Sequence, residues 1–159
     1  MRKAHLFRNG AIGIGFFILF LAAAGCSKSN NNTNNQKVNY TLSGNANGAQ
    51  EVPAVTTSAT GTLAGTYNSS TYALTYTITW SGLSGPPILM HFHGPALAGE
   101  NAAPSLGITG FPTTTSGTFS GSATLTVAQG ADLLAGKWYY NIHTDAHGGG
   151  EIRGQVAVQ

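Results

Sequence analysis

An all-β fold follows from three features of the sequence: a two-sheet antiparallel β-sandwich with Greek-key connections, about seven to eight strands, and one short helix near 128–135. Several stretches alternate apolar and polar side chains with a period of two, the pattern of strands with one buried face. Clusters of glycine, proline, asparagine and serine separate them as turns. Charged residues make up only 8% of the chain while glycine contributes 22 residues, a composition suited to extended strands and tight turns.

Val38–Ser43 has Val38, Tyr40 and Leu42 at alternate positions and reads as the first strand, broken by Gly44-Asn-Ala-Asn-Gly48. Proline cannot donate to a ladder, so Glu51-Val-Pro53 reads as a loop or a sheet edge. Ala59–Asn68 is a second strand with weaker alternation. Thr71–Ser81 carries the strongest pattern: Tyr72, Leu74, Tyr76, Ile78 and Trp80 share one face, and Thr71, Thr75, Thr77, Thr79 and Ser81 the other. A helix would scatter those aromatics around its circumference. The turn over 82–87 should join this strand to an antiparallel neighbour, in which His91 and His93 project together while Ile88, Met90 and Phe92 take the opposite face. Gly94-Pro95 ends that strand, 96–104 reads as a loop, and Ser105–Thr109 as a short strand. Gly117–Val127 alternates through Phe119, Ala123, Leu125 and Val127, and Ala128–Gly136 is the one helical segment. Lys137–Thr144 sets Trp138, Tyr140 and Ile142 against Tyr139, Asn141 and His143. After a glycine-rich turn over Asp145–Gly150 that carries an exposed His147, Glu151–Val158 returns as a hairpin partner, with Ile152, Val156 and Val158 inward and Glu151, Arg153 and Gln155 outward.

The amino terminus reads as an export signal. Arg2, Lys3 and Arg8 precede an apolar run, Ala11–Ala24, shorter than the ~20 residues of a spanning helix. Leu21-Ala-Ala-Ala-Gly-Cys26 resembles the lipobox of bacterial lipoproteins, which implies a signal peptide over 1–25, lipidation of Cys26 and anchoring of the exported protein to a bacterial membrane, in the cell envelope at the outer membrane or cell surface. The asparagine- and serine-rich stretch 26–37 is too polar to bury and serves as a tether, leaving 38–159 as the single domain. Cys26 is the sole cysteine, so no intrachain disulfide supports the fold.

Without residues 1–25 the chain keeps Lys28, Lys37, Lys137 and Arg153 against Glu51, Glu100, Asp132, Asp145 and Glu151. Four basic and five acidic side chains make no basic patch, which excludes nucleic acid as a partner. No serine lies in a Gly-x-Ser-x-Gly setting, the carboxylates are too scattered for a glycosidase pair, and Gly148-Gly-Gly150 does not open a helix after a strand as a phosphate loop would. No catalytic residue is therefore nominated.

The histidines carry the remaining chemistry. Imidazole suits copper and zinc, which bind nitrogen at about 2.0–2.2 Å and take three or four ligands. His91 and His93 can converge on one ion, with His143 as a third ligand if its strand lies beside theirs, and His147, Glu151 or water as a fourth. The alternative is a hydrogen-bonded layer of the three histidines with Tyr139, Asn141, Thr144 and Glu151 that sets sheet register. Glu151 and Arg153, alternating on one strand, suggest an ion-pair ladder with neighbouring strands.

Glu51-Val-Pro53, His91-Phe-His-Gly94, Asn141-Ile-His-Thr144 and Gly150-Glu-Ile-Arg-Gly-Gln155 occur in that order across nearly the whole domain. As a set they resemble the CHRD domain, named after chordin and found alone in bacterial secreted proteins. The residues that carry the resemblance include Glu51, Pro53, Gly94, Asn141, Glu151 and Arg153. It implies an immunoglobulin-like sandwich with a distant likeness to copper/zinc superoxide dismutases, where a histidine-x-histidine strand and a later histidine hold copper; the matching positions are His91, His93 and His143. No histidine cluster follows Pro95 to bridge to zinc and no cysteine pair ties that loop, so dismutase activity is not carried over. The expectation is a lipid-anchored binding module for a protein or small ligand, holding copper or zinc at three histidines. A copper-dependent redox enzyme and a metal-free structural or adhesive domain are the alternatives.

Overall fold

Where aromatic and β-branched side chains recur at every second position, the chain is extended and one face is sealed from water. In the computed structural model, which describes residues 38–159, Leu74, Tyr76, Ile78 and Trp80 on the third strand are all buried while Thr75 and Thr79 are exposed. The expected signal peptide, Cys26 and the tether lie outside the described residues. The strands are β1 (Asn39–Asn47), β2 (Thr60–Asn68), β3 (Ala73–Ser81), β4 (Pro87–His93), β5 (Pro104–Ile108), β6 (Gly117–Thr124), β7 (Tyr139–Thr144), β8 (His147–Gln155) and the two-residue β9 (Ala157–Val158); among the described residues there is one α-helix, α1 (Val127–Leu134), between β6 and β7, and a short 3-10 helix over Gly48–Gln50.

Strand order is β5-β4-β7-β8-β1-β2-β3-β6, with β9 paired to β1. Only Asn47 and Arg153 pair between β1 and β8, so the order divides into two four-stranded layers, β5-β4-β7-β8 and β1-β2-β3-β6. Their inner faces interdigitate: the Tyr76 and Phe92 rings meet edge-on across the layers at 5.0 Å, within a core that includes Leu42, Leu63, Met90, Tyr140, Ile142 and Ile152. These core side chains all belong to one compact unit, 35–159, which carries its own hydrophobic interior. The helix starts at a capping box in which Gln129 N donates to Thr126 Oγ1 and Thr126 N to Gln129 Oε1, and it buries Leu133.

Several expectations are corrected. The first strand does not break at Gly44; it runs to Asn47, because nine consecutive pairings with β2 override the local turn preference. The third strand begins at Ala73, with Tyr72 in the preceding turn at φ 58°. It does not neighbour the histidine strand: β3 pairs with β2 and β6, β4 with β5 and β7, and the 82–86 connection crosses from one layer to the other. An irregularity between Pro87 and Leu89 turns Ile88 out to solvent, although Met90 and Phe92 face the core as expected. Val127, expected to end a strand, opens the helix, and His147 begins β8 half-buried instead of lying exposed in a turn. The polar residues on β8 do not face water: Glu151 and Arg153 are buried and Gln155 is half-buried, under loops 48–59 and 94–103.

Candidate metal centre

His91 and His93 lie on β4 and His143 on the adjacent β7, with Leu89 opposite His143 and His91 opposite Asn141 in the ladder. Strand alternation places all three rings, with Asn141 between them, on the outer face of the layer. Ring centroids are 5.4 Å apart for His91 and His93, 5.2 Å for His91 and His143, and 6.4 Å for His93 and His143. One nitrogen from each comes within 4.8 Å of the others. His93 and His143 are buried and His91 is half-exposed.

The surroundings set the ring orientations. His93 Nδ1 donates to the Ala102 carbonyl at 2.9 Å, and His143 Nδ1 to the Gly148 carbonyl at 3.0 Å. Their Nε2 atoms turn inward, each 3.0 Å from Asn141 Oδ1, and His91 Nδ1 lies 3.3 Å from His143 Nε2. His93 stacks on Tyr139 at 4.7 Å, and the guanidinium of Arg153 lies 3.4 Å over the same ring. Burial, then the neighbouring imidazoles, lowers the pKa of His91. Burial also lowers that of His143, against the raising effect of its bond to Gly148. Both shifts favour neutral rings with lone pairs available.

The flanking acidic groups divide sharply. Burial alone would push the Glu151 carboxyl up, but hydrogen bonds outweigh it and hold the group below the usual carboxylate range. Oε2 accepts from Ser84 Oγ at 2.6 Å and Thr144 Oγ1 at 2.7 Å, and Oε1 from Ser84 N at 2.9 Å and Thr57 Oγ1 at 2.8 Å. Glu51 differs: burial pushes its pKa up to about 7 despite the charge of Arg153, and its buried Oε1 has no hydrogen-bond partner among the described residues. It packs against Gly150, at φ 125°, where a Cβ would lie 2.3 Å from Oε1. Only glycine admits that carboxyl.

The predicted ion-pair ladder is absent among the described residues. Arg153 instead donates to Asn101 Oδ1 and to the Glu100 carbonyl, while Glu151 is saturated by hydroxyl and amide donors. Of the expected hydrogen-bonded layer, Asn141 and Tyr139 meet the histidines, whereas Thr144 and Glu151 bond one another. Neither Glu151 nor His147 joins the three-histidine group. Ala102 and Gly148, which orient two of the rings, act through backbone carbonyls, and no residue type signals such a role. Asn101 Nδ2 donates to Val52 O at 2.9 Å, fastening the loop that carries Ala102 to the Glu51-Val-Pro53 segment, where Pro53 follows a cis peptide.

A profile of the CHRD domain matches residues 42–156, from the first core residue of β1 to the last after β8. The chain belongs to the CHRD family. No curated protein and no solved structure matches it. Within this CHRD domain the residues that carried the resemblance converge on one face. Asn141 touches the histidines, Gly94 lies against Trp138 directly after His93, Glu51 and Pro53 lie in the covering loop 48–59, and Glu151 and Arg153 bond to Thr57 and Asn101 of the two covering loops. The three-histidine cluster at its centre is compatible with a metal site.

Proposed function

We propose that this CHRD domain is a metal-binding module that takes copper or zinc on His91 Nδ1, His93 Nε2 and His143 Nε2, and that a lipid on Cys26 anchors it to the cell envelope outside the cytoplasm. The observation that carries the reading is the pair of Nδ1–H bonds to Ala102 and Gly148, which directs two Nε2 lone pairs to one point beside His91. Ligand nitrogens around a copper or zinc ion sit about 3.3–3.6 Å from one another. His91 Nδ1 and His143 Nε2 already stand at 3.3 Å, and the 4.8 Å limit on the others leaves a closing movement of about 1 Å. Three imidazoles fit such an ion, and the half-exposed His91 leaves a side on which a further ligand can approach. An ion there would supply a Lewis-acidic coordination position; the Ala102 and Gly148 carbonyls hold two of the rings, and Tyr139 with Arg153 over it backs His93.

Metal retention by residues 35–159 after loading with copper or zinc and dialysis tests the site. The parent should keep about one equivalent, and the His91→Ala/His93→Ala double variant almost none. Near-zero metal in both would sink the proposal, while retention without superoxide turnover would set aside a redox enzyme. For the anchor, the full chain should incorporate labelled fatty acid in a bacterial host and the Cys26→Ser variant should not; equal labelling would refute lipidation.

A further inference from the structure

The three imidazoles are covered unequally, and the difference runs along β4. On its outer face Leu89 is 48% exposed, His91 is half-exposed and His93 is buried. Loop 94–103 accounts for the buried end, because it sets the Ala102 carbonyl against His93 Nδ1. His143, opposite Leu89 on β7, is held by the Gly148 carbonyl and is buried as well. The open mouth of the cluster therefore lies beside His91, toward Leu89.

On the side away from β7 that mouth is bordered by an edge strand. Among the described residues β5 ends the strand order and pairs only with β4, and its exposed Gly107 stands directly opposite His91. Opposite residues of an antiparallel ladder point to the same face with Cβ atoms about 4.5–5.5 Å apart, so a side chain at position 107 would stand against the His91 ring. Glycine leaves that flank bare. The fold does not demand glycine there: a Cβ at Gly121 would lie 2.5 Å from the Tyr76 hydroxyl and one at Gly154 2.7 Å from Tyr140 Cε1, whereas at Gly107 it meets nothing within 4 Å. Nor does Gly107 adopt the left-handed backbone that favours glycine, as Gly110 does at φ 82°. A glycine inside a strand weakens it, and close approach of a ligand is a further use of such a position.

We infer that Gly107 is the specificity-determining position of the metal centre: it opens the flank of His91 over which a compact monodentate ligand reaches the remaining coordination position, and a larger side chain there closes it. The inference rests on the metal-binding reading above and adds to it the route and the size of what enters. Leu89 and Gly107 offer no side-chain hydrogen bond to steady a branched or chelating ligand at the rim. A long side chain on the edge strand also reaches the diagonal neighbours of His91, so one substitution narrows the whole mouth.

Two readouts test this in residues 35–159, one without metal and one with it. Diethyl pyrocarbonate acylates accessible imidazole nitrogens, and peptide mapping by mass spectrometry reads each histidine separately. In the metal-free parent His91 should react well before His93 and His143, and Gly107→Leu should slow His91 at least about five-fold. An unchanged His91 rate would overturn the inference. In the Cu2+-loaded protein, azide titrated against the copper absorption should bind Gly107→Leu about ten-fold more weakly than the parent, with copper retention the same in both. Gly107→Ala, whose Cβ lies in open space, should keep the fold and fall between the two. Equal azide affinity at equal copper occupancy would sink this inference alone. A parent that retains no copper would sink the metal-binding reading and this inference with it.

Discussion

Both layers turn a polar face away from the core, and the two faces meet opposite surroundings. On β2, β3 and β6 the outward residues are threonine and serine, mostly exposed, and they pair with one another: Thr66 with Thr75 at 2.8 Å, Thr77 with Ser120 at 2.8 Å, and Thr79 with Thr118 at 3.1 Å. On β4, β7 and β8 the corresponding face carries His93, Asn141, His143, Glu151 and Arg153, none more than 7% exposed. Loops 48–59 and 94–103 make the difference, contributing Thr57, Asn101 and the Ala102 carbonyl to that face. A hydroxyl on the open face can exchange its partner for water. A carboxylate on the covered face cannot, so the protein must supply every donor it needs.

Removing Glu151 should break this contrast most severely. Glu151→Ala removes the acceptor of the Thr57, Ser84 and Thr144 hydroxyls and opens a cavity at a fully buried position, for an expected loss of about 3 kcal/mol in urea unfolding. A loss below ~1 kcal/mol would mean that water reaches this face as freely as the other.

Gly94→Ala probes how tightly the covered face is packed. The new Cβ would lie 2.6 Å from Trp138 Cδ1 and 2.7 Å from Lys137 O, one being core ring and the other backbone. An overpacking cost of ~1–3 kcal/mol is expected, with weaker zinc retention because His93 is the preceding residue. Unchanged stability and retention would show that the region relaxes easily.

Glu51 sharpens the comparison, since it is covered but lacks donors. Its native pKa, raised from 4.5 to about 7, means that the native state holds a proton the unfolded chain has lost between those values. Stability therefore falls as pH rises from 4.5 through about 7. Glu51→Gln should remove that slope, stabilising the domain by ~1–2 kcal/mol at pH 8 with little change at pH 4. Thermal unfolding at the two pH values checks this, and an equal effect at both would rule out a raised carboxyl. On the open face, Thr79→Val should move stability by less than ~0.5 kcal/mol, since its partner Thr118 is exposed to water. A larger change would mean that the hydroxyl pairs matter as much as the buried network.

Much of this architecture is legible in residue order. The period of two in β3 and β7, the helical segment that stops at Gly136 and the histidine pair on β4 are local properties, governed by steric and solvation preferences over a few residues. The nearness of His143 followed only conditionally, because it required β7 to be the neighbour of β4, and strand order is a long-range property. The β3–β4 neighbour relation failed for the same reason: a short turn can join two layers as readily as two adjacent strands.

Residue order alone set most of the strand faces, the family resemblance and the candidate ligands, although Ile88 and Val127 lie exposed against their strand patterns. The packing of the loops over the strands leaves one polar face open and covers most of the other up to the half-exposed His91, satisfies Glu151 but not Glu51, and aims two carbonyls with no side-chain signature at the imidazoles. Alternation records the preference of each side chain for core or surface. Whether a loop distant in sequence then covers that surface depends on contacts between segments far apart in the chain, as between Thr57 and Glu151, 94 residues apart.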